Sequence, residues 1–126
     1  MSELTMHTPS PESMPGVVRI DPHAVEVPVV PLSQDASSPS AGFTQVASID
    51  DMAVGVWDHT EGASTHTEED EVFIILSGSV IVTEDGEDPI EFGVGDIGIL
   101  RSGARTTWSV TEPLRKIWIA REPSNG

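Results

Sequence analysis

The chain contains no cysteine, which removes disulfides, thiol nucleophiles and thiolate metal sites and leaves any metal to His, Asp or Glu. Bases are scarce too: 6 Lys and Arg stand against 21 acids, a formal charge of -15. Such a surface repels phosphate backbones and anionic headgroups, so neither nucleic acid nor a membrane is expected as a partner. Long apolar runs are missing. The stretch Val72 to Thr83 is broken by Ser77-Gly78-Ser79 and falls short of the roughly 18 apolar residues of a membrane span. The N-terminus shows no basic-then-apolar leader, and a cytoplasmic protein is expected. With 126 residues, 37% of them hydrophobic, there is room for one small soluble domain and not for two cores.

Proline divides the chain. Seven of the ten prolines lie in the first 41 residues, where they remove ladder donors and bar central strands. Residues 1–41 are therefore expected to form a flexible Pro-rich arm, with Val17-Val18-Arg19-Ile20 and Val25 to Val30 as edge strands at most. Residues 42–126 form the domain. There, eight glycines between Gly55 and Gly103 separate short runs rich in Val, Ile, Thr, Phe and Trp, the pattern of an all-β sandwich or barrel. Strands are predicted near 45–48, 53–57, 72–76, 80–84, 90–92, 97–100, 106–110 and 115–120. Asp85-Gly86 signals a tight hairpin with positive φ at both central positions. Thr65 to Leu76 is open to two readings: Thr65-His66-Thr67-Glu68 fits a helix capping box, whereas Val72-Phe73-Ile74-Ile75 favours strand. Strand is preferred. That run is apolar at both parities, so a second sheet or subunit should cover its outer face, and a homodimer is expected.

The segment Gly62 to Glu71, followed by Val72-Phe73-Ile74-Ile75-Leu76-Ser77-Gly78, resembles the first motif of the cupins, with His66 at the second His position, Glu71 at the Glu and Gly78 at the motif's end. Gly95-Asp96-Ile97-Gly98-Ile99-Leu100-Arg101-Ser102-Gly103 resembles the second motif, with Arg101 where proline is usual and Thr106 where a third His falls. Gly55-Val56-Trp57-Asp58, Glu91 to Asp96 and Arg105-Thr106-Thr107-Trp108-Ser109-Val110 are similar to the cupin subfamily of ureidoglycine aminohydrolase and the ethanolamine-utilization accessory proteins. The resemblance covers roughly residues 42–121. It implies a small single-domain jelly-roll β-barrel whose usual metal site is three His and one Glu. This chain keeps His66 and Glu71 but carries Ser64 and Thr106 at the other two positions.

Two ligands seldom hold a transition metal tightly. No tightly held cofactor is expected, and the alternative is a divalent ion at His66 and Glu71 in low occupancy, with His59 or Asp58 replacing a lost ligand. The leading expectation is a cupin that binds a small polar metabolite, nitrogenous or carboxylate, in its barrel. His66 and Glu71 would be the acid/base pair. Trp108 would form the wall beside Ser64 and Thr106, and Arg101 and Arg105 would clamp an anion at the mouth. In the acid run Glu68-Glu69-Asp70-Glu71, strand alternation lets at most two side chains look inward. A metal-dependent, aminohydrolase-like enzyme and a non-catalytic dimeric interaction module are the competing readings.

Overall fold

The computed structural model describes residues 15–122. Its strands are β1 (Val30–Pro31), β2 (Ser40–Ile49), β3 (Met52–His59), β4 (Gly62–Thr67), β5 (Glu71–Glu84), β6 (Ile90–Phe92), β7 (Ile97–Leu100) and β8 (Arg105–Arg121). All pair antiparallel, and no helix occurs among the described residues.

Two long strands organise the sheet. β5 and β8 pair from Glu71↔Ala120 to Glu84↔Thr106, with register shifts between Ile75 and Val80. The first half of β5 takes β7 on its other edge, and the second half takes β6. The C-terminal half of β8 takes β3 and its N-terminal half takes β4. Each long strand thus serves two half-sheets that bend apart at one corner. The corner has a physical cause. Gly78 has φ 85, and a Cβ there would lie 2.0 Å from the Pro113 carbonyl oxygen, so glycine alone allows the two backbones to meet. Pro113 has no N–H to give to the ladder.

The register shifts at this corner also reset side-chain parity along β5, since an unpaired residue moves every later side chain to the other face. Phe73 and Ile75 are buried before it, Val80 and Val82 after it, so both halves of β5 face inward. With Leu100, Trp108, Val110 and Leu114 they form the core, against which Trp57 and Phe92 pack. The hydrogen-bonded path runs from β1 to β6 without returning. The jelly roll is therefore a sheet folded on itself and not a closed ladder.

Several sequence expectations change in detail. The expected pairs 72–76 with 80–84, and 106–110 with 115–120, are single strands that carry the corner within them. Gly62–Thr67, which has no strong apolar pattern, is a strand because its alternate residues Ser64 and His66 find partners, and Glu68 to Asp70 form a loop before β5. The capping-box helix is absent. Gly86 has positive φ but Asp85 does not, and the nearest β5–β6 pair is Val82↔Ile90, so this connection is a wider loop. The two-residue hairpin lies at Asp50-Asp51, between Ile49 and Met52, with Asp50 at φ 54. An Asp tolerates that conformation better than most residues.

Of the arm, residues 1–14 lie outside the described residues. Val17 to Ile20 forms no strand, and of Val25 to Val30 only Val30 pairs, through Val30↔Ala41. The described part is nonetheless tied down. Thr44 Oγ1 donates to the Glu26 carbonyl at 2.7 Å, and Arg115 donates to the carbonyls of Pro22 and His23 at 3.0 and 3.1 Å. On the outer face of β5 and β7, Val72, Ile97 and Ile99 are exposed in the single chain.

Candidate functional site

Residues of β2, β3, β4, β5 and β8 border an open cavity of about 500 Å³. Phe43, Trp57, Trp108 and Trp118 provide apolar walls, and His66, Glu68, Glu71 and Lys116 cluster among the polar lining residues. Alternation places them there: on β8 the residues Thr106, Trp108, Leu114 and Lys116 are buried at the same parity. The loop Glu68–Asp70 is pinned by Glu68 N–H to Ala104 O at 2.8 Å, Gly103 N–H to Glu68 O at 2.8 Å and Ser102 N–H to Asp70 Oδ1 at 2.9 Å.

Lys116 is the only lysine in the chain, and it is buried at 5% exposure. Its Nζ donates to Glu71 Oε2 at 2.6 Å. It also lies 4.7 Å from the Trp57 ring centroid, 4.8 Å from Phe73 and 4.5 Å from Trp108, within the range of cation–π attraction. Burial lowers its pKa from the ordinary lysine value, opposed first by Glu71 and then by Glu68. Glu68 Oε2 accepts from Thr106 Oγ1 at 2.6 Å and from Trp108 Nε1 at 3.0 Å.

A second chain of bonds runs through the two imidazoles. His59, 1% exposed, bonds through Nδ1 to the Thr60 carbonyl and through Nε2 to Ser64 Oγ at 2.8 Å. Ser64 Oγ in turn meets His66 Nε2 at 2.7 Å. A carbonyl only accepts, so His59 Nδ1 carries its proton. Burial is the largest cause lowering both imidazole pKa values, which favours neutral rings. His59 Nε2 is then an acceptor, the single Ser64 O–H donates to it, and His66 Nε2–H donates to Ser64. His66 is left as the Nε2–H tautomer with a lone pair on Nδ1.

Of the residues named from sequence, His66, Glu71 and Trp108 line the cavity. Ser64 and Thr106 hydrogen-bond to lining residues without lining it themselves. Arg101 and Arg105 stand apart. Arg105 is exposed and faces Asp85 at 3.5 Å, and Arg101 borders a separate groove with Val82, Glu84 and Ile90. Asp58 is held by Arg115 in a two-pronged pair at 2.7 and 2.9 Å. Glu68 and Glu71 are the two acids of their run whose side chains bond inside, and Glu69 is an exposed lining residue.

Sequence reasoning missed Lys116, Glu68 and the role of His59. Lys116 was given no role from the sequence. Extending the Thr106–Trp108 parity past Pro113 would have marked it as inward.

All four positions of the cupin metal quartet are engaged by protein groups: Ser64 by two imidazoles, His66 by Ser64, Glu71 by Lys116 and Thr106 by Glu68. Among the described residues, no buried side-chain N or O atom lacks a partner, and no three His, Asp or Glu converge as metal ligands.

A jelly roll of antiparallel strands around an inward-facing His and Glu is the architecture of the cupins. Within them, the EutQ-like cupin domain matches residues 47–118, more than half of the chain, and the protein belongs to that family. Solved structures agree on the fold. EutQ from Clostridium difficile is similar at TM-score 0.62 and 17% identity, over 76% of this chain and 78% of that one. The Schizosaccharomyces pombe Cnp3 cupin domain gives 0.63 and 16%, over 84% and 74%. A cupin-2 domain protein from Shewanella frigidimarina gives 0.55 and 20%, over 72% and 86%. No curated protein matches the chain in sequence.

Proposed function

We propose that the cavity binds a small uncharged nitrogenous metabolite, with no divalent metal taking part. The supporting observation is an aromatic-walled hollow of about 500 Å³ whose polar residues gather around Lys116, within the size range of small-ligand pockets. Three carboxylates, Glu68, Glu69 and Glu71, line it against Lys116 and Arg121, and Arg121 already faces Asp51 at 3.3 Å. An anionic ligand would meet net repulsion, so the carboxylate class and an arginine clamp are set aside in favour of nitrogen compounds. His66 Nδ1 offers a lone pair to an N–H or O–H of the ligand, and this is the group through which proton transfer would run. The metal reading is disfavoured by the chemistry of the donors. Divalent transition ions need about four donors, and here Ser64, His66, Glu71 and Thr106 are each already hydrogen-bonded within the protein.

The chain's three tryptophans, Trp57, Trp108 and Trp118, all line this cavity, so intrinsic fluorescence reports on it alone. A panel of small amides and ureas should produce saturable spectral changes that His66→Gln weakens, while matched carboxylates should not. A panel in which only carboxylates bind, or nothing binds, refutes the reading.

A second copy is proposed to cover the outer sheet face. The register sets Ile99, Val72, Ile119 and Val54 in one row and Ile97, Ile74 and Ile117 in the next. These two rows carry no charged residue on a chain of -15, so they are where like-charged copies repel least. Sedimentation should give a dimer that Ile97→Lys converts to monomer. A monomeric parent refutes this.

A further inference from the structure

We infer that Lys116 is the resident cation of this cavity, and that the fold holds a site for one organic ammonium group that the chain fills with its own side chain. The metal that the resemblance implies would need Glu71, and Glu71 is held by Lys116 Nζ at 2.6 Å. Around that nitrogen the walls are those of a cation cage. Three ring centroids stand 4.5 to 4.8 Å away, and aromatic faces attract ammonium groups at such distances. Glu68, bonded to Thr106 and Trp108, adds a second negative charge whose attraction for Lys116 is felt. The remaining donors of a divalent coordination sphere are few: the rings have none, His66 Nε2 is spent on Ser64, and Glu68 Oε2 is held by Thr106 and Trp108. A divalent ion brought to Glu71 would lie against a buried ammonium, where like charges repel more strongly than in water.

Two consequences follow. The charge balance of the cavity is intrinsic to the chain, so metal chelation leaves it intact. A ligand meets N–H donors of a fixed ammonium in place of an open coordination position, which selects uncharged acceptors such as a carbonyl oxygen. The inference stands whether or not a metabolite binds, because its readout is stability and not fluorescence.

Cutting Lys116 back to alanine removes three methylenes and the ammonium, the outline of propylammonium. Thermal unfolding of the full-length Lys116→Ala variant is followed with propylammonium chloride, with 1-propanol and with sodium chloride. Propylammonium is expected to raise the variant's midpoint saturably, by about 5 °C, and to leave the parent chain unmoved, while the alcohol and the salt do nothing. Equal rescue by propanol overturns the inference, since the cage would then need volume and not charge. Should Lys116→Ala not fold, the parent chain itself decides by equilibrium dialysis against Zn²⁺ and against Mn²⁺. Uptake of one ion per chain that Glu71→Leu abolishes overturns the inference, and absence of such uptake supports it.

Discussion

Replacing Glu71 by leucine deletes the acceptor of the Lys116 ammonium while keeping a side chain of similar bulk. The pair is well shielded, with side-chain exposures of 6% for Lys116 and 19% for Glu71. Breaking a buried pair from one side costs about 3–5 kcal/mol, because the remaining charge keeps its desolvation penalty without its partner. The three rings and Glu68 still attract the ammonium, so the lower end, about 3 kcal/mol, is expected. For a domain of this size that is a drop in Tm of more than about 10 °C. Pairing Glu71→Leu with Lys116→Met removes both charges and leaves an apolar contact, and such replacements are often neutral or better. The double variant should therefore recover most of the loss. A double-mutant cycle by urea unfolding should give a coupling above about 1.5 kcal/mol. If Glu71→Leu costs less than about 1 kcal/mol, or the two losses simply add, the ion pair is not the interaction described.

The corner, the imidazoles and the arm can each be tested. Gly78→Ala asks a residue with a side chain to adopt φ 85 with its Cβ 2.0 Å from the Pro113 carbonyl oxygen. A loss of at least about 2 kcal/mol by urea unfolding is expected, and a loss under about 0.5 would mean that the bend does not depend on glycine. His59 and His66 have pKa values lowered from 6.5, chiefly by burial. As pH falls below about 6.5 the unfolded chain therefore binds more protons than the folded one. Stability should be complete above that pH and should decline toward pH 5.5, less steeply in His66→Gln; a flat urea midpoint over this range refutes the assignment. Arg115→Ala breaks the bonds to Asp58 and to the carbonyls of Pro22 and His23. Limited proteolysis should then cut between residues 15 and 30 several-fold faster than in the parent chain, and equal rates would show the arm to be held elsewhere.

What the sequence determined by itself was the class of fold and one edge of the cavity. Glycine spacing and β-branched runs specify antiparallel strands because those constraints are local, and the spacing of His66 and Glu71 brings both to one cavity across a short loop. Trp108 followed from strand alternation. The rest depended on contacts between residues far apart in the chain. Lys116 lies 45 positions from Glu71, beyond the Pro113 corner at which a reading of β8 as two strands loses its parity. Arg101 and Arg105 resembled an anion clamp in sequence, but loop geometry turns one toward Asp85 and the other into a separate groove. The balance of charge inside the cavity was decided only by tertiary structure, because a buried ammonium is identified by what surrounds it: one carboxylate and three ring faces drawn from three different strands.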